Sequence, residues 1–234
     1  MLVAQNISFS WGKTPLFDDV TFSVSPGEVA ALVGANGVGK TTLMKILAGV
    51  ILPSAGTVLV DGQDAFKNIM RYHRMMGYLP ENAPAEPDMS IKGYLTYRAH
   101  LKGEMTKKIR HRVQEALSLC GLRDMTDARI GSLSQGLRKR VALADALLLR
   151  PRILLLDDLL AGLDTVTRAS IGRILAAVAT FAAVIVSGHE LEELEVHAGK
   201  FLVLKHGRML GAKTAAGART LIMPAAKREG RGAT

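Results

Sequence analysis

Residues 34 to 42 read Gly-Ala-Asn-Gly-Val-Gly-Lys-Thr-Thr and fit the phosphate-binding pattern G-x-x-x-x-G-K-[ST], with Gly34, Gly39, Lys40 and Thr41 at its fixed positions. The pattern has a mechanism. Gly34, Gly37 and Gly39 let successive backbone N–H groups, those of Asn36, Val38 and Thr42 among them, turn inward around a phosphate. Lys40 then reaches the outer phosphates, and the Thr41 hydroxyl is placed to ligate Mg²⁺. A second chemical signal is Asp157, which follows the apolar run Ile153-Leu154-Leu155-Leu156. An aspartate at such a strand end holds Mg²⁺ in P-loop enzymes, and a neighbouring acid, here Asp158, can orient water.

Such residues work only if elements hold them. Glu28 to Val33 reads as a buried strand, and Thr42 to Ala48 has helical spacing up to Gly49, so the glycine loop lies between a strand and a helix N-terminus. Exposed N–H groups there favour anions. Upstream, Val3 to Phe9 and Val20 to Val24 alternate as strands around the turn Trp11 to Pro15. Thr57 to Val60 and Met76 to Leu79 are further short strands. Ser90 to Leu101, Thr106 to Leu119 and Leu137 to Leu149 carry apolar residues at helical spacing, before strand and helix alternate again up to Lys200 to Leu204. A turn is expected at Lys205 to Arg208. The expected fold is therefore α/β, with a helical insertion over about 88–150. Residues 213–234, rich in Ala, Gly and basic side chains, are expected to form a flexible tail.

Composition narrows the partners. The 234 residues are 48% hydrophobic, enough for one large core or two small ones. The net charge of +9 is spread over small separated groups, and aromatics are only 5%, so the stacking surface of a single-strand nucleic-acid binder is missing; no nucleic acid is expected. The single cysteine, Cys120, excludes an internal disulfide and fits a reducing compartment. Met1 to Asn6 lacks the basic start and apolar run of a secretion signal. The most apolar stretch, Ile174 to Val186, is shorter than the roughly 20 residues a spanning helix needs, so it reads as a helix end and a buried strand.

Between the glycine loop and Asp157 lies Leu133-Ser134-Gln135-Gly136-Leu137-Arg138-Lys139-Arg140-Val141, directly before a helix. Here the chain resembles the ATP-binding cassette (ABC) family of ATPases. The glycine loop, this segment, Leu156-Asp157-Asp158, Ala161-Gly162-Leu163-Asp164 and His189 occur in that family's order over residues 1–212. The resemblance implies a P-loop NTPase core of RecA-like type, with an N-terminal antiparallel β subdomain and an inserted helical subdomain. It implies that Trp11 stacks on adenine, that Ser134 and Gly136 bind the γ-phosphate held by a partner subunit, and that Asp164 crosses the dimer interface. His189 matches the family's switch histidine, which contacts the γ-phosphate, and Glu81 stands where many members carry a glutamine touching Mg²⁺ and the attacking water. Residue by residue, plainer structural readings remain open: Trp11 packing beneath its turn, Ser134 capping a helix, Glu81 exposed in a loop.

The implied function is ATP binding and hydrolysis, with Mg²⁺, in a two-fold dimer that drives a separate membrane-spanning subunit. A homodimer is favoured over a heterodimer. The membrane partner is expected to dock near Glu81 to His100, which puts the chain at the cytoplasmic face of a membrane, peripheral through that partner. The alternatives are a slow regulatory cassette paired with another ATPase subunit, and a soluble cassette acting on ribosomes or DNA. Four departures from the family's pattern bear on rate. Asp158 replaces the usual glutamate, Glu81 the glutamine, Gln135 and Leu137 alter the partner-site segment, and Leu159-Leu160 stands where Pro-Thr is usual. A carboxylate displaced by about 1 Å can cost on the order of 10²-fold in rate, so hydrolysis is expected to be slow.

Overall fold

The computed structural model describes residues 1–82, 86–188 and 191–222. Two sheets form it. The first has the order β2-β1-β4-β5, with β1 (Leu2–Trp11), β2 (Thr14–Val24), β4 (Ala55–Val60) and β5 (Gln63–Asp64) all antiparallel. The second has the order β10-β9-β3-β8-β7-β6. Its strands are β3 (Val29–Val33), β6 (Met76–Leu79), β7 (Ile153–Leu156), β8 (Ala183–Ser187), β9 (Lys200–Lys205) and β10 (Arg208–Ala212), parallel except for the β9–β10 hairpin. That hairpin turns at His206 and Gly207, both with positive φ, as a tight two-residue turn requires.

Every residue of β3, β7 and β8 is buried, as parallel strands covered on both faces must be. Alternation along them splits the interior into two cores. Ala30, Leu32, Ile153, Leu155, Ala183 and Ile185 face the first sheet and α1 (Lys40–Leu47), which contributes Leu43, Met44, Ile46 and Leu47. Ala31, Val33, Leu154, Leu156, Val184 and Val186 face the remaining large helices. Burying a Leu or Val side chain stabilises by roughly 1.5–3 kcal/mol, so this two-sided strand set anchors the molecule.

Between β6 and β7 stand α3 (Ile91–Leu101), α4 (Thr106–Leu119) and α5 (Gln135–Leu147). Asp145 on α5 ties that helix to the end of α3, accepting from Arg98 Nε and Nη2 at 3.2 and 3.0 Å and pairing with Lys102 Nζ at 2.9 Å. After β7 come α6 (Thr165–Ala179) and, beyond β8, α7 (Leu191–Glu195). The apolar stretch from Ile174 divides between α6 and β8, and among the described residues no helix is long and apolar enough to cross a membrane.

Two α-helices depart from the sequence reading. α2 (Ile69–Met75) has no counterpart in it, because only Tyr72 is buried and no apolar repeat is visible. Asn68 caps it by accepting from Arg71 N–H at 3.0 Å. At the C-terminal end, the expected flexible tail is corrected over α8 (Ala215–Ile222), an ordered helix. Ala218 is wholly buried, Leu221 and Ile222 pack on the larger core, and Lys205 Nζ donates to Leu221 O at 2.6 Å. The spacing of Ala218, Leu221 and Ile222 is helical, a signal masked by the surrounding Ala, Gly and Lys. The rest of the expected tail, 223–234, lies outside the described residues.

Candidate nucleotide site

The glycine loop leaves β3 and enters α1 through Gly39, whose φ of 107° is open to glycine and strained for other residues. A Cβ there would also stand 2.9 Å from Leu16 Cδ2. No side chain caps α1 and no acid occupies its first turn, so the N–H groups of that turn face outward as anion donors. Lys40 is 6% exposed, and its Nζ donates to Gly34 O at 2.8 Å and Ala35 O at 3.1 Å, which folds the loop around the ammonium. Burial holds the Lys40 pKa below its ordinary value, and the charges of Asp158 and Asp157 oppose that shift.

A cavity of about 290 Å³ opens here, at the carboxyl ends of the parallel strands where α/β sheets place their ligands. Trp11, Leu16, Gly37, Gly39, Lys40, Thr41 and Thr42 form one wall; Glu81, Asp157, Asp158 and Ser187 form the other. Its volume sits near the lower edge of the roughly 300–1,000 Å³ usual for a ligand pocket. Gly34, Asn36 and Val38 shape the loop without lining the cavity. Trp11 is 58% exposed and held edge-on by Phe9, with ring centroids 5.0 Å apart, which leaves the indole available for a planar ligand.

Asp157 is 2% exposed. Its Oδ1 accepts from Ser187 Oγ–H, whereas its Oδ2 is buried with no hydrogen-bond partner among the described residues. A buried carboxylate oxygen is costly to leave unmatched, and a cation supplies the match. Among the described residues no group of three or more His, Cys, Asp or Glu could hold a metal alone. One hydroxyl and one or two carboxylates are instead the donor set of Mg²⁺, which keeps waters and takes its remaining oxygens from phosphate. The residues present therefore fit Mg²⁺ carried with a nucleotide. Burial, followed by the charge of Asp157, raises the pKa of nearby Tyr78 to about 12.

Ser187 was not among the residues singled out from sequence. Its Oγ donates to Asp157 and accepts from Asp158 N–H at 3.0 Å, so one hydroxyl fixes both acids. The only sequence cue is a polar residue closing the apolar run Ala183 to Val186. Asp158 itself has φ 52°, a left-handed conformation that aspartate tolerates better than most side chains.

Ser134, Gly136 and Asp164 form a second cluster that does not line the cavity. Ser134 caps α5, accepting from Leu137 N–H at 3.3 Å, and Asp164 caps α6, accepting from Thr167 N–H at 2.9 Å and Thr167 Oγ1–H at 2.7 Å. The Thr167 N–H bond is the main cause holding the Asp164 carboxyl below its ordinary pKa. Gly136 allows the two helix starts to meet, since a Cβ on it would lie 2.9 Å from Thr167 Cγ2. The plainer cap role of Ser134 is thus present, and it leaves the serine exposed at a helix N-terminus. His189 lies outside the described residues. A larger cleft, about 520 Å³, runs between α6 and α7, but its Arg168 is paired with Glu193 at 2.9 Å and it carries neither the glycine loop nor the paired acids.

Comparison with known proteins agrees with this geometry. A family model described as ABC transporter matches residues 17–161. An uncharacterized ABC transporter ATP-binding protein of Bacillus subtilis, YxlF, is 32% identical over 209 residues, 89% of this chain and 69% of its own length. The Nod factor export ATP-binding protein I of a Rhizobium species is 31% identical, covering 86% of this chain and 66% of its own. The Fe(3+) ions import ATP-binding protein FbpC of Pasteurella multocida is 34% identical over 72% of this chain, which spans only 48% of that relative. Among solved structures, cbiO1 from Clostridium perfringens, described as part of an ABC transporter complex, superposes with a TM-score of 0.81 at 28% identity, covering 91% of this chain and 88% of that one. A dimeric bacterial ABC transporter cassette shares the fold, with a TM-score of 0.79 at 23% identity over 91% of this chain and 98% of that one. A family model matched over more than half the chain, a 32% identical relative covering 89% of it and a P-loop cavity with paired acids lead to one conclusion: the chain belongs to the ABC transporter family, as an ATP-binding cassette of the ATPase type.

Proposed function

We propose that two copies of this chain close on two ATP molecules, hydrolyse them, and pass the resulting movement to a separate membrane subunit. The observation that carries the reading is the division of the site. The phosphate loop, Lys40 and the paired acids share one cavity, whereas the exposed N-terminus of α5 with Ser134 and Gly136 lies outside it. A ligand in the cavity is therefore enclosed on one side only, and a second copy related by a two-fold axis supplies Ser134 to complete it. The dimeric form of the cassette of the same fold supports this arrangement.

In this scheme the α1 N-terminus and Lys40 hold the β- and γ-phosphates, Trp11 stacks on the base, and Thr41, Asp157 and Glu81 would hold Mg²⁺. Bound Mg²⁺ would neutralise charge on the phosphate oxygens. Asp158 orients the attacking water, and His189 contacts the γ-phosphate. Hydrolysis removes the phosphate that Ser134 grips, and the dimer opens. The membrane partner docks near Glu81 to His100, a reading supported by the exposed apolar side chains Tyr97, Leu101 and Met105 at the edge of that surface. The chain thereby sits at the cytoplasmic face of a membrane. Crosslinking of the assembled complex should find this surface protected.

The short Asp158 side chain favours one second reading, a slow cassette paired with a more active one. Turnover of Mg-ATP by purified protein separates the two. Lys40→Ala should lower turnover at least about 100-fold, and Asp158→Glu should raise it severalfold if the shorter carboxylate limits the rate. Unchanged turnover in Lys40→Ala would remove the site assignment. An inert wild type that Asp158→Glu revives would favour the paired cassette.

A further inference from the structure

The loop that carries Asp158 has an anchor that the proposed mechanism leaves unused. Lys139 Nζ donates to three carbonyls of one short segment, Asp158 O at 3.2 Å, Leu159 O at 2.7 Å and Ala161 O at 2.7 Å. An ammonium has three protons, so the whole donor capacity of Lys139 is spent on this loop. On the opposite side Leu159, Leu160 and Leu163 are buried, at 1%, 2% and 4% exposure. Gln135, one helical turn before Lys139 on the same face of α5, lies over the next residue of the loop: a Cβ on Gly162 would stand 3.3 Å from its amide nitrogen.

We propose that Lys139 is a positioning residue for hydrolysis: it clamps the 158–161 loop to α5 so that Asp158 keeps its left-handed turn and its aim at the attacking water. The proposal rests on the reading of Asp158 given above. Asp158 has φ 52°, and its peptide units are held by the Ser187 hydroxyl at its N–H and by Lys139 at its carbonyl. The segment contains no proline to stiffen it, so the ammonium does the fixing instead. The same helix presents Ser134 at its N-terminus.

The test is steady-state turnover of Mg-ATP by the full chain, read as separate kcat and KM, for wild type, Lys139→Met, Lys139→Arg and Asp158→Asn. Methionine keeps an unbranched, flexible stem one atom shorter than lysine and removes all three donors. Since misplacement by about 1 Å costs on the order of 10²-fold, Lys139→Met should lose about 10- to 100-fold in kcat with KM within about twofold of wild type. Lys139→Arg, which retains several donors, should recover most of the loss. If Lys139→Met gives too little folded protein, Lys139→Gln, with one amide donor group, reads the same split. A kcat within about twofold of wild type in Lys139→Met overturns the inference, and so does an equal loss in Met and Arg variants with KM rising in step. Asp158→Asn separates the two levels. If it is inactive while Lys139→Met is normal, only the role of Lys139 falls; if it turns over like wild type, the assignment of Asp158 falls and takes the inference with it.

Discussion

Removing the Ser187 hydroxyl tests the geometry of the paired acids most directly. Ser187 is 2% exposed on the wall of the cavity, so water replaces only part of what Ser187→Ala deletes. Two bonds are lost. One runs from Oγ–H to the Asp157 carboxylate, a bond to a charged acceptor worth about 1.5–3 kcal/mol; the other is accepted from Asp158 N–H, which would be left unpaired at about 1–3 kcal/mol. Partial relaxation of a loop this close to a cavity lowers the sum, and about 2–4 kcal/mol of destabilisation is expected. The assay is urea unfolding without nucleotide, followed through the midpoint at an unchanged m value. A double-mutant cycle with Asp157→Ala isolates the first bond and should give a coupling of about 1.5–3 kcal/mol. The variant should also lose turnover, because Asp158 is held by the same hydroxyl. A destabilisation below about 0.5 kcal/mol with no coupling to Asp157 would refute the bridging role, since neither buried partner would then depend on Ser187.

Three further expectations follow from other parts of the molecule. Asp145→Ala leaves Arg98 and Lys102 without the carboxylate they share; full burial would make this cost 3–5 kcal/mol, and their partial exposure reduces it to about 2–4 kcal/mol, read by thermal or urea unfolding. Trp11→Ala removes an exposed indole, so stability should change by less than about 1 kcal/mol while Mg-ATP affinity falls by about 1–3 kcal/mol, measured by nucleotide titration. Alkaline pH should weaken the fold through groups whose native pKa is raised, chiefly by burial: Cys120 from 9.0 to about 12, and Tyr78 and Tyr94 from 10.0 to about 12. The native state keeps protons that the unfolded chain has released, so stability is complete below about pH 9 and declines as pH rises toward 12. For the wholly buried Cys120 alone, about two units at 1.4 kcal/mol each give about 2–3 kcal/mol lost at pH 11. Cys120→Ala should flatten the pH dependence of the urea midpoint by that amount.

What was legible in the sequence is what depends on local pattern. The glycine loop, the strand before it and the helix after it lie in one contiguous run, and each residue's role is set by its immediate neighbours. The buried strands β7 and β8 were readable for the same reason, as short apolar runs whose ends carry the acids and Ser187. Elements held mainly by contacts with distant segments were not. α2 is fixed through Tyr72, whose hydroxyl donates to Leu47 O across the core, and α8 through Ala218 and a lysine on β9. Tyr72 and Leu47 are 25 positions apart and Lys205 and Leu221 are 16 apart, so a window of neighbouring residues holds at most the weak spacing signal of α8 and not what fixes either helix.

The same distinction explains why the site was only half visible. Lys40, Asp157 and Asp158 announce themselves by type and by their place at strand ends, whereas Ser187 and Lys139 are ordinary residues until the fold brings them 29 and 19 positions back to Asp158. A serine closing a buried strand and a lysine on a basic helix have many structural uses. What singles them out is that the N–H and carbonyl of one left-handed residue are each held by one of them. That residue departs from the family's glutamate by one methylene, and a shorter side chain has less freedom to compensate for an error in its backbone. The positional burden therefore shifts from the Asp158 side chain to the two groups that hold its peptide units. Lengthening the side chain by Asp158→Glu should make turnover less sensitive to Lys139→Met than it is in the wild-type background, because the longer carboxylate can reach its water from a displaced loop. Equal sensitivity in both backgrounds would mean that backbone position does not limit the rate.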